Sequence, residues 1–139
     1  MPVYTVTMSR GTLNGETKAA LAAEITTIHS AVNHVPSTYV NVLFNELAPS
    51  NVYTDGKPAH PLIINGWVRT GHSDEQTTAL VTQVADAATR ITGIPAERVL
   101  VIIGNSPARF AIEGGRILPD PGQELAWLAA TTEHSPGAR

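Results

Sequence analysis

Cysteine is absent from this sequence of 139 residues. Without thiols the chain has no disulfide framework, no thiol nucleophile and no cysteine-based zinc or iron–sulfur site. Any catalysis must therefore depend on nitrogen and oxygen groups that exchange protons.

Motifs for the common cofactors are missing as well. No G-x-G-x-x-G segment follows a predicted strand and no G-K-[ST] element occurs, which excludes the usual dinucleotide and phosphate loops. His34, His60 and His134 share no metal-ligand spacing, and no H-E-x-x-H element is present. We therefore expect an enzyme with no cofactor and no metal site.

Charge and hydropathy argue against two kinds of partner. Nine Lys and Arg residues against twelve Asp and Glu residues leave a net charge of −3, and no basic run marks a surface for nucleic acid or membrane. No apolar run approaches the roughly 20 residues that cross a bilayer, and the first residues do not resemble a secretory signal. The sequence predicts a soluble, cytoplasmic protein without a nucleic-acid or membrane partner.

Chain length and a hydrophobic content of 42% fit one compact domain, which we place at residues 1–130. Residues 131–139 are polar and end in Ser-Pro-Gly-Ala-Arg. They are predicted to form a flexible tail, with a subunit-capping arm as the alternative.

A β-α-β pattern occupies the first half of the sequence. Residues 3–8 are β-prone, and Asn14 is placed to cap a helix that ends near Asn33. Residues 39–47 are rich in β-branched and aromatic side chains and form the second predicted strand. Residues 49–61 form a polar connection rich in turn-forming residues.

The same pattern returns about 60 residues later. Residues 62–68 form a strand, Ser73 and Gln76 form a capping box, and Gly93 ends the second helix. Residues 99–103 form the last strand of the pattern. Two such units predict an α+β fold, in which a four-stranded sheet carries two helices on one face.

Two further features follow from this pattern. A short C-terminal hairpin is predicted around a turn at Gly114 and Gly115, and residues 119–122 are too rich in proline and glycine for regular structure. The uncovered sheet face is costly to leave in water, at roughly 25 cal/mol per Å² of apolar surface. We therefore expect the chains to associate through this face.

Pro2 directly follows Met1. Because proline is small, removal of Met1 is expected, which leaves a secondary amine. An α-amino group titrates at roughly pH 7.7–8.0 in model peptides, so such a nitrogen can act as base or acid near neutrality. By position alone an ordinary second residue is the commoner case, and with Met1 retained the Pro2 nitrogen is an amide without a basic lone pair.

Five segments carry a resemblance to a known family: PVYTVTMS, TTIHSA, VLFNELAPSNVY, NGWVRTGHS and IIGNSPARFAIEGGRILPDPG. Together they resemble the cis-3-chloroacrylic acid dehalogenase family of the tautomerase superfamily, over nearly the whole chain except its C-terminal tail. The resemblance implies a homotrimer in which each amino-terminal proline lies at the bottom of a pocket for a small carboxylate-bearing substrate.

The resemblance also implies roles for individual residues. Pro2 matches the catalytic proline, and Glu113 matches the acidic residue that activates or positions water. His29 matches a substrate-binding histidine, and Arg69 matches a carboxylate-binding arginine. His72 stands where the family has a second arginine and is the weaker substrate-binding candidate.

Two departures from the family bear on the reaction. His72 lacks the planar fork of the second arginine, and Ile102 replaces a tyrosine that hydrogen-bonds beside the glutamate. Dehalogenation or hydration of 3-haloacrylates should therefore be weak. Keto–enol tautomerisation of 2-oxo acids such as phenylpyruvate needs only a carboxylate anchor and one group that moves a proton, and it is the predicted activity.

Other interpretations stay open at this point. An efficient cis-3-chloroacrylic acid dehalogenase or hydratase could use His72 together with a further group, and a trimeric interaction protein could keep the proline pocket as a relic. Each site residue also has a structural alternative. His29 could be an ordinary core histidine, Arg69 an exposed arginine, and Glu113 the cross-strand partner of Arg116.

Overall fold

The computed structural model describes residues 1–133. In chain order its elements are β1 (Val3–Ser9), α1 (Gly15–Asn33), β2 (Asn41–Leu47), β3 (Tyr53–Thr54), β4 (Lys57–Pro58), β5 (Leu62–Arg69), α2 (Asp74–Thr92), β6 (Val99–Ser106), β7 (Ile112–Glu113), β8 (Arg116–Ile117) and α3 (Glu124–Glu133). No helix among these elements is long and apolar enough to span a membrane.

A mixed four-stranded sheet in the order β2-β1-β5-β6 forms the centre of the fold. β1 pairs with β2 in parallel, β5 pairs with β6 in parallel, and the antiparallel pair β1–β5 joins the two halves. In each half a helix connects the two parallel strands, as a parallel pair requires. The predicted α+β fold of two β-α-β units is confirmed.

Local capping sets the bounds of both long helices. The Asn14 side chain accepts a hydrogen bond from the Thr17 amide at 2.8 Å, one residue before α1 begins. Ser73 and Gln76 form the predicted capping box of α2, and Gly93 ends that helix in the left-handed conformation at φ 74°. Because these interactions are local, the predicted and observed helix bounds agree.

Both long helices cover the same face of the sheet. Their inner faces and the buried face of β1 and β5 form one apolar cluster. Its fully buried members include Tyr4, Val6, Leu21, Ile25, Leu62, Ile64, Leu80 and Val84. On the opposite face Leu43, Leu100 and Ile102 are 53%, 50% and 46% exposed. The single chain therefore has the open apolar face that the sequence predicts.

A two-residue turn closes a hairpin after each half of the fold. β3 and β4 meet at Asp55 and Gly56, and β7 and β8 meet at Gly114 and Gly115, with all four turn residues at positive φ. The second hairpin is the predicted one. The first lies in the segment 49–61, which was predicted only as a turn-rich connection, although Asp55-Gly56 is a turn signal typical of a hairpin.

Two strand boundaries and one helix differ from the sequence predictions. β2 begins at Asn41 rather than at residue 39, because Ser37–Tyr39 form a 3₁₀ turn. β6 continues to Ser106, which pairs with Arg69 of β5. α3 was not predicted, and it runs to Glu133, three residues past the predicted domain limit. The rest of the predicted tail, residues 134–139, lies outside the described residues.

Candidate active site

The amino terminus lies inside the protein, where β1 enters the centre of the sheet. Met1 is 3% exposed and Pro2 is also buried. The buried residues packed around Met1 are Val35, Ala108 and Leu118. The start of the chain is thus part of an apolar cluster separate from the main core.

Glu113 is in direct contact with this buried terminus. Its Oε1 lies 3.1 Å from the Met1 nitrogen, which also donates a hydrogen bond to the Tyr39 carbonyl. Burial lowers the pKa of the terminal amine, the hydrogen bond and charge of Glu113 raise it, and the charge of Arg69 lowers it. The net shift of the Met1 amine pKa is downward, because burial and the Arg69 charge outweigh the effect of Glu113.

Arg116 stands opposite Glu113 in the register of the hairpin, as predicted. Its guanidinium nevertheless donates to the Trp127 carbonyl at 2.7 Å and lies 4.9 Å from the centre of the Trp127 ring. Glu113 makes its ion pair with the amino terminus. The two side chains therefore have different partners, and the Glu113 carboxylate faces the chain start.

His29 lies on the inner face of α1 and is 1% exposed. A hydrogen bond of 2.8 Å joins its Nδ1 to the Tyr4 hydroxyl, and the two rings meet edge to face. The pKa of His29 falls to about 4, chiefly through burial, with smaller contributions from His72, the amino terminus and Arg69. The imidazole is therefore neutral at physiological pH.

Arg69 ends β5 and is 2% exposed, which excludes the exposed alternative. Its Nη1 donates to the Pro119 carbonyl at 2.7 Å, and its Nη2 donates to Glu124 Oε1 at 2.6 Å. The other Glu124 oxygen accepts a hydrogen bond from the Gly122 amide at 2.9 Å. These contacts tie the end of β5 to the start of α3.

Glu124 is the residue of this region that the sequence analysis missed. Burial raises the pKa of its carboxyl, but hydrogen bonds from Arg69 and from backbone amides, with the Arg69 charge, outweigh burial and lower it. The only sequence signal is an acidic residue at the first position of a helix. That signal was not available, because α3 itself was not predicted.

His72 lies in the turn between β5 and α2 and is partly buried. Burial and the charge of Arg69 lower its pKa, while the charge of Glu124 raises it. Arg69 thus acts electrostatically on His72, on His29 and on the amino terminus. Together with the contact between Glu113 and the terminus, this places the predicted site residues at one end of the sheet.

A cavity of about 450 Å³ opens beside Met1 and Glu113. Its apolar walls include Trp67, Phe110, Ile112 and Leu118. The Trp67 Nε1 donates to the Ser106 hydroxyl at 2.7 Å, which fixes the indole. Asn41, Ser106 and Glu113 add polar groups to these walls, and a combination of apolar and polar lining is typical of pockets for small organic molecules.

Ile102 does not line this cavity. It lies on the open face of β6 and alternates with Val101 and Ile103, which pack against the core. Position 102, where the family has a tyrosine, therefore lies on the surface through which chains are expected to associate, and not in the wall of the cavity. Within residues 1–133, no three His, Asp or Glu side chains are close enough to hold a metal ion.

Comparison with known proteins identifies the class that this fold and site define. Residues 1–132 match the family model Tautomerase_3, described as "Putative oxalocrotonate tautomerase enzyme". The chain therefore belongs to the tautomerase superfamily, which confirms the assignment made from the sequence. No curated protein matches the sequence.

Solved structures agree with this assignment. The crystal structure of native Ps01740 is 35% identical, with 80% of this chain and 99% of that chain covered and a TM-score of 0.79. The crystal structure of N1, a member of the cis-3-chloroacrylic acid dehalogenase family, is 30% identical, with 91% and 90% covered and a TM-score of 0.88. The asymmetric trimer of R7 fused 4-OT is 23% identical, with 83% and 94% covered and a TM-score of 0.76, and shares the fold.

Proposed function

We propose that this protein is a cofactor-free tautomerase of 2-oxo acids such as phenylpyruvate, with the Pro2 nitrogen as its acid–base group. The observation that supports the proposal is the burial of Pro2 next to Met1, whose nitrogen lies 3.1 Å from Glu113 and beside a cavity of about 450 Å³. Removal of Met1 would convert the Pro2 amide into a secondary amine. It would also add the buried space of the Met1 side chain to the cavity.

The proposed reaction moves one proton between oxygen and carbon. The neutral Pro2 amine takes the proton of the enol hydroxyl while the carbonyl forms, and the resulting ammonium group gives a proton to the adjacent carbon. No group leaves and nothing is oxidised or reduced, so the reaction needs no cofactor. Glu113 is proposed to orient and stabilise the ammonium form through its carboxylate.

Three residues are proposed to bind the substrate. Arg69 supplies positive charge for the substrate carboxylate. If the Tyr4 hydroxyl donates to Nδ1 of neutral His29, the other ring nitrogen carries the proton and can donate to a substrate oxygen. His72 lies next to these groups and is proposed to contact the carboxylate more weakly, because an imidazole lacks the bidentate geometry of arginine.

Weak hydration or dehalogenation of 3-haloacrylates is proposed as a side activity. It is supported by the likeness to N1 and by Glu113, a carboxylate that can take a proton from attacking water. With His72 in place of an arginine, polarisation of the acrylate should be poor. We expect kcat/KM for cis-3-chloroacrylate to be far below that for the enol of phenylpyruvate, and the reverse order would favour an efficient dehalogenase.

The proposed assembly is a homotrimer in the cytoplasm, formed through the open sheet face. Leu43, Leu100 and Ile102 on that face are each about half exposed in the single chain. Leu43 lies on one edge strand and Leu100 and Ile102 lie on the other, with Thr5 and Asn65 between Leu43 and Ile102. Large apolar side chains exposed at both edges of one sheet face favour an interface between proteins. The fused 4-OT structures are described as trimers, and their shared fold supports the same arrangement here.

The decisive test is the chemical state of the amino terminus. Protein lacking Met1, verified by intact mass, should ketonise the enol of phenylpyruvate, whereas the same sequence with Met1 retained should be about 10²–10⁴-fold slower, because the Pro2 nitrogen is then an amide and the buried Met1 residue occupies the space beside it. Pro2→Ala, which keeps a primary amine after Met1 removal, is the matched control and should fall between the two. Equal rates with and without Met1 would refute the proposal.

A further inference from the structure

The ion pair between Arg69 and Glu124 reduces the positive charge available to a substrate. Arg69 is 2% exposed, Glu124 is 12% exposed, and their charged atoms are 2.6 Å apart. Both partners are held in place, Arg69 by the Pro119 carbonyl and Glu124 by the Gly122 amide. The pair is therefore preorganised and is little screened by water.

The hydrogen-bond donors of Arg69 set a limit on what else it can bind. A guanidinium has five N–H donors in one plane, and two of them are used by Pro119 and Glu124. The three remaining donors can serve one more carboxylate. Arg69 pairs across the sheet with Ser106, which lines the cavity beside Glu113. Among the described residues, no Lys or Arg lines this cavity, whose walls include Trp67 and Phe110.

We propose that Glu124 is a specificity-determining residue, which restricts the site to 2-oxo acids with a single carboxylate and an apolar remainder. This inference rests on the proposed tautomerase function and names the substrate class within it. One substrate carboxylate shares Arg69 with Glu124. A second would lie near the negative charges of Glu113 and Glu124, without a cation to balance it and against apolar walls.

Glu124 acts through Arg69 in this proposal and does not contact the reacting atoms. Its effect is electrostatic, because its carboxylate neutralises the guanidinium that holds the substrate. If the ion pair had a purely structural role, its loss would change kcat/KM by the same factor for diacids and for monoacids. The ratio of kcat/KM values for a diacid and a monoacid therefore separates the two roles.

The test compares two enols that differ in the number of carboxylates. Phenylpyruvate carries one and oxaloacetate carries two, and both are measured as enols with wild type and Glu124→Gln, each lacking Met1. Glu124→Gln should raise kcat/KM for the diacid relative to the monoacid roughly tenfold, mainly through KM, because one negative charge near the second carboxylate is lost.

The matched control removes the same charge far from the site. Glu97 is exposed and immediately precedes Arg98 and the start of β6, whereas Arg69 pairs with Ser106 at the other end of that strand. Glu97→Gln should therefore leave the substrate ratio at the wild-type value. An equal rise in both variants would mean that net charge, rather than Glu124, sets the preference, and would overturn the inference.

Two other outcomes are decisive. An unchanged ratio in a folded Glu124→Gln protein overturns the role of Glu124 but leaves the tautomerase proposal intact, whereas a wild type inactive on both enols overturns the tautomerase proposal itself. If Glu124→Gln does not fold, inhibition of wild type by butanoate and by succinate gives the answer. Butanoate must inhibit at least as strongly as succinate, and stronger inhibition by succinate would contradict the inference.

Discussion

The neutral state of His29 follows from the residues around it. The side chain is 1% exposed, its Nδ1 is hydrogen-bonded to the Tyr4 hydroxyl, and the positive charge of Arg69 lowers its pKa further. A protonated imidazole in this position loses hydration and gains no acidic partner among the contacts described. The family resemblance predicted His29 as a substrate-binding residue, but its protonation state depends on burial, which a single histidine in a helical pattern does not reveal.

This burial makes folding stability depend on pH. The pKa of His29 is about 4 in the folded protein and near 6.5 in the unfolded chain, so the unfolded state binds more protons between those values. The contribution of neutral His29 is complete above pH 6.5 and is lost as the pH falls toward 4, at about 1.4 kcal/mol per pH unit. Urea unfolding across that range should show stability falling with pH in wild type, and falling less steeply in His29→Gln. Identical slopes would contradict the assignment.

Packing between β1 and β5 sets the position of the Tyr4 ring, which bonds to His29. Gly66 on β5 lies opposite Tyr4 on β1. A Cβ atom at position 66 would be 2.7 Å from the Tyr4 ring and 2.6 Å from Ile103 Cδ1, both closer than real contacts allow. The absent side chain of Gly66 therefore gives the Tyr4 ring the space from which it reaches His29. This is a packing requirement, since the φ angle of Gly66 is not in the left-handed region.

Gly66→Ala should destabilise the fold by about 1–3 kcal/mol, the usual cost of an extra methyl group in a filled core. It should also lower kcat/KM for the enol of phenylpyruvate, because the displaced Tyr4 ring takes its hydrogen bond away from His29. Gly15→Ala at the start of α1 is the control, since a Cβ there meets nothing within 4 Å and lies away from the open sheet face. Urea unfolding and enol kinetics of both variants check this prediction, and equal effects of the two substitutions would contradict it.

At the scale of the whole molecule, the two halves share a plan but differ in chemistry. Pro2 lies one residue before β1, and Pro61 lies one residue before β5. Glu113 ends the first strand of the second hairpin, where Thr54 ends the first strand of the first hairpin. Pro61 is bound in the middle of the chain, so its nitrogen cannot become an amine. Each chain therefore has one proline that Met1 removal can convert to a base.

The exposed apolar residues of the open sheet face lead to a prediction about the oligomeric state. Wild type should have three times the mass of the chain in solution by light scattering, and Leu100→Glu should give monomers, because a charge cannot be buried without a partner in an apolar interface. Thr78→Glu adds the same charge on the exposed side of α2 and should leave the assembly unchanged. A monomeric wild type, or a trimeric Leu100→Glu protein, would contradict the proposed interface.

Local signals in the sequence determined the two β-α-β units. Asn14, Ser73 and Gly93 act within a few residues of their own positions, so the helix bounds could be read directly from the chain. The turn at Gly114 and Gly115 is local in the same way. The β3–β4 hairpin and α3 were not found, because strands of two residues give no alternating pattern and no recognised start signal marks α3.

Tertiary structure decided which charged groups meet at the site. Glu113 is 112 positions from the chain start and Glu124 is 55 positions from Arg69, so no local pattern could pair them. Their contacts depend on how the β7–β8 hairpin and α3 pack against the end of the sheet. The sequence alone thus supplied the two β-α-β units and the proposed acid–base residues, whereas the charge balance around Arg69 and the burial of the amino terminus come from long-range packing.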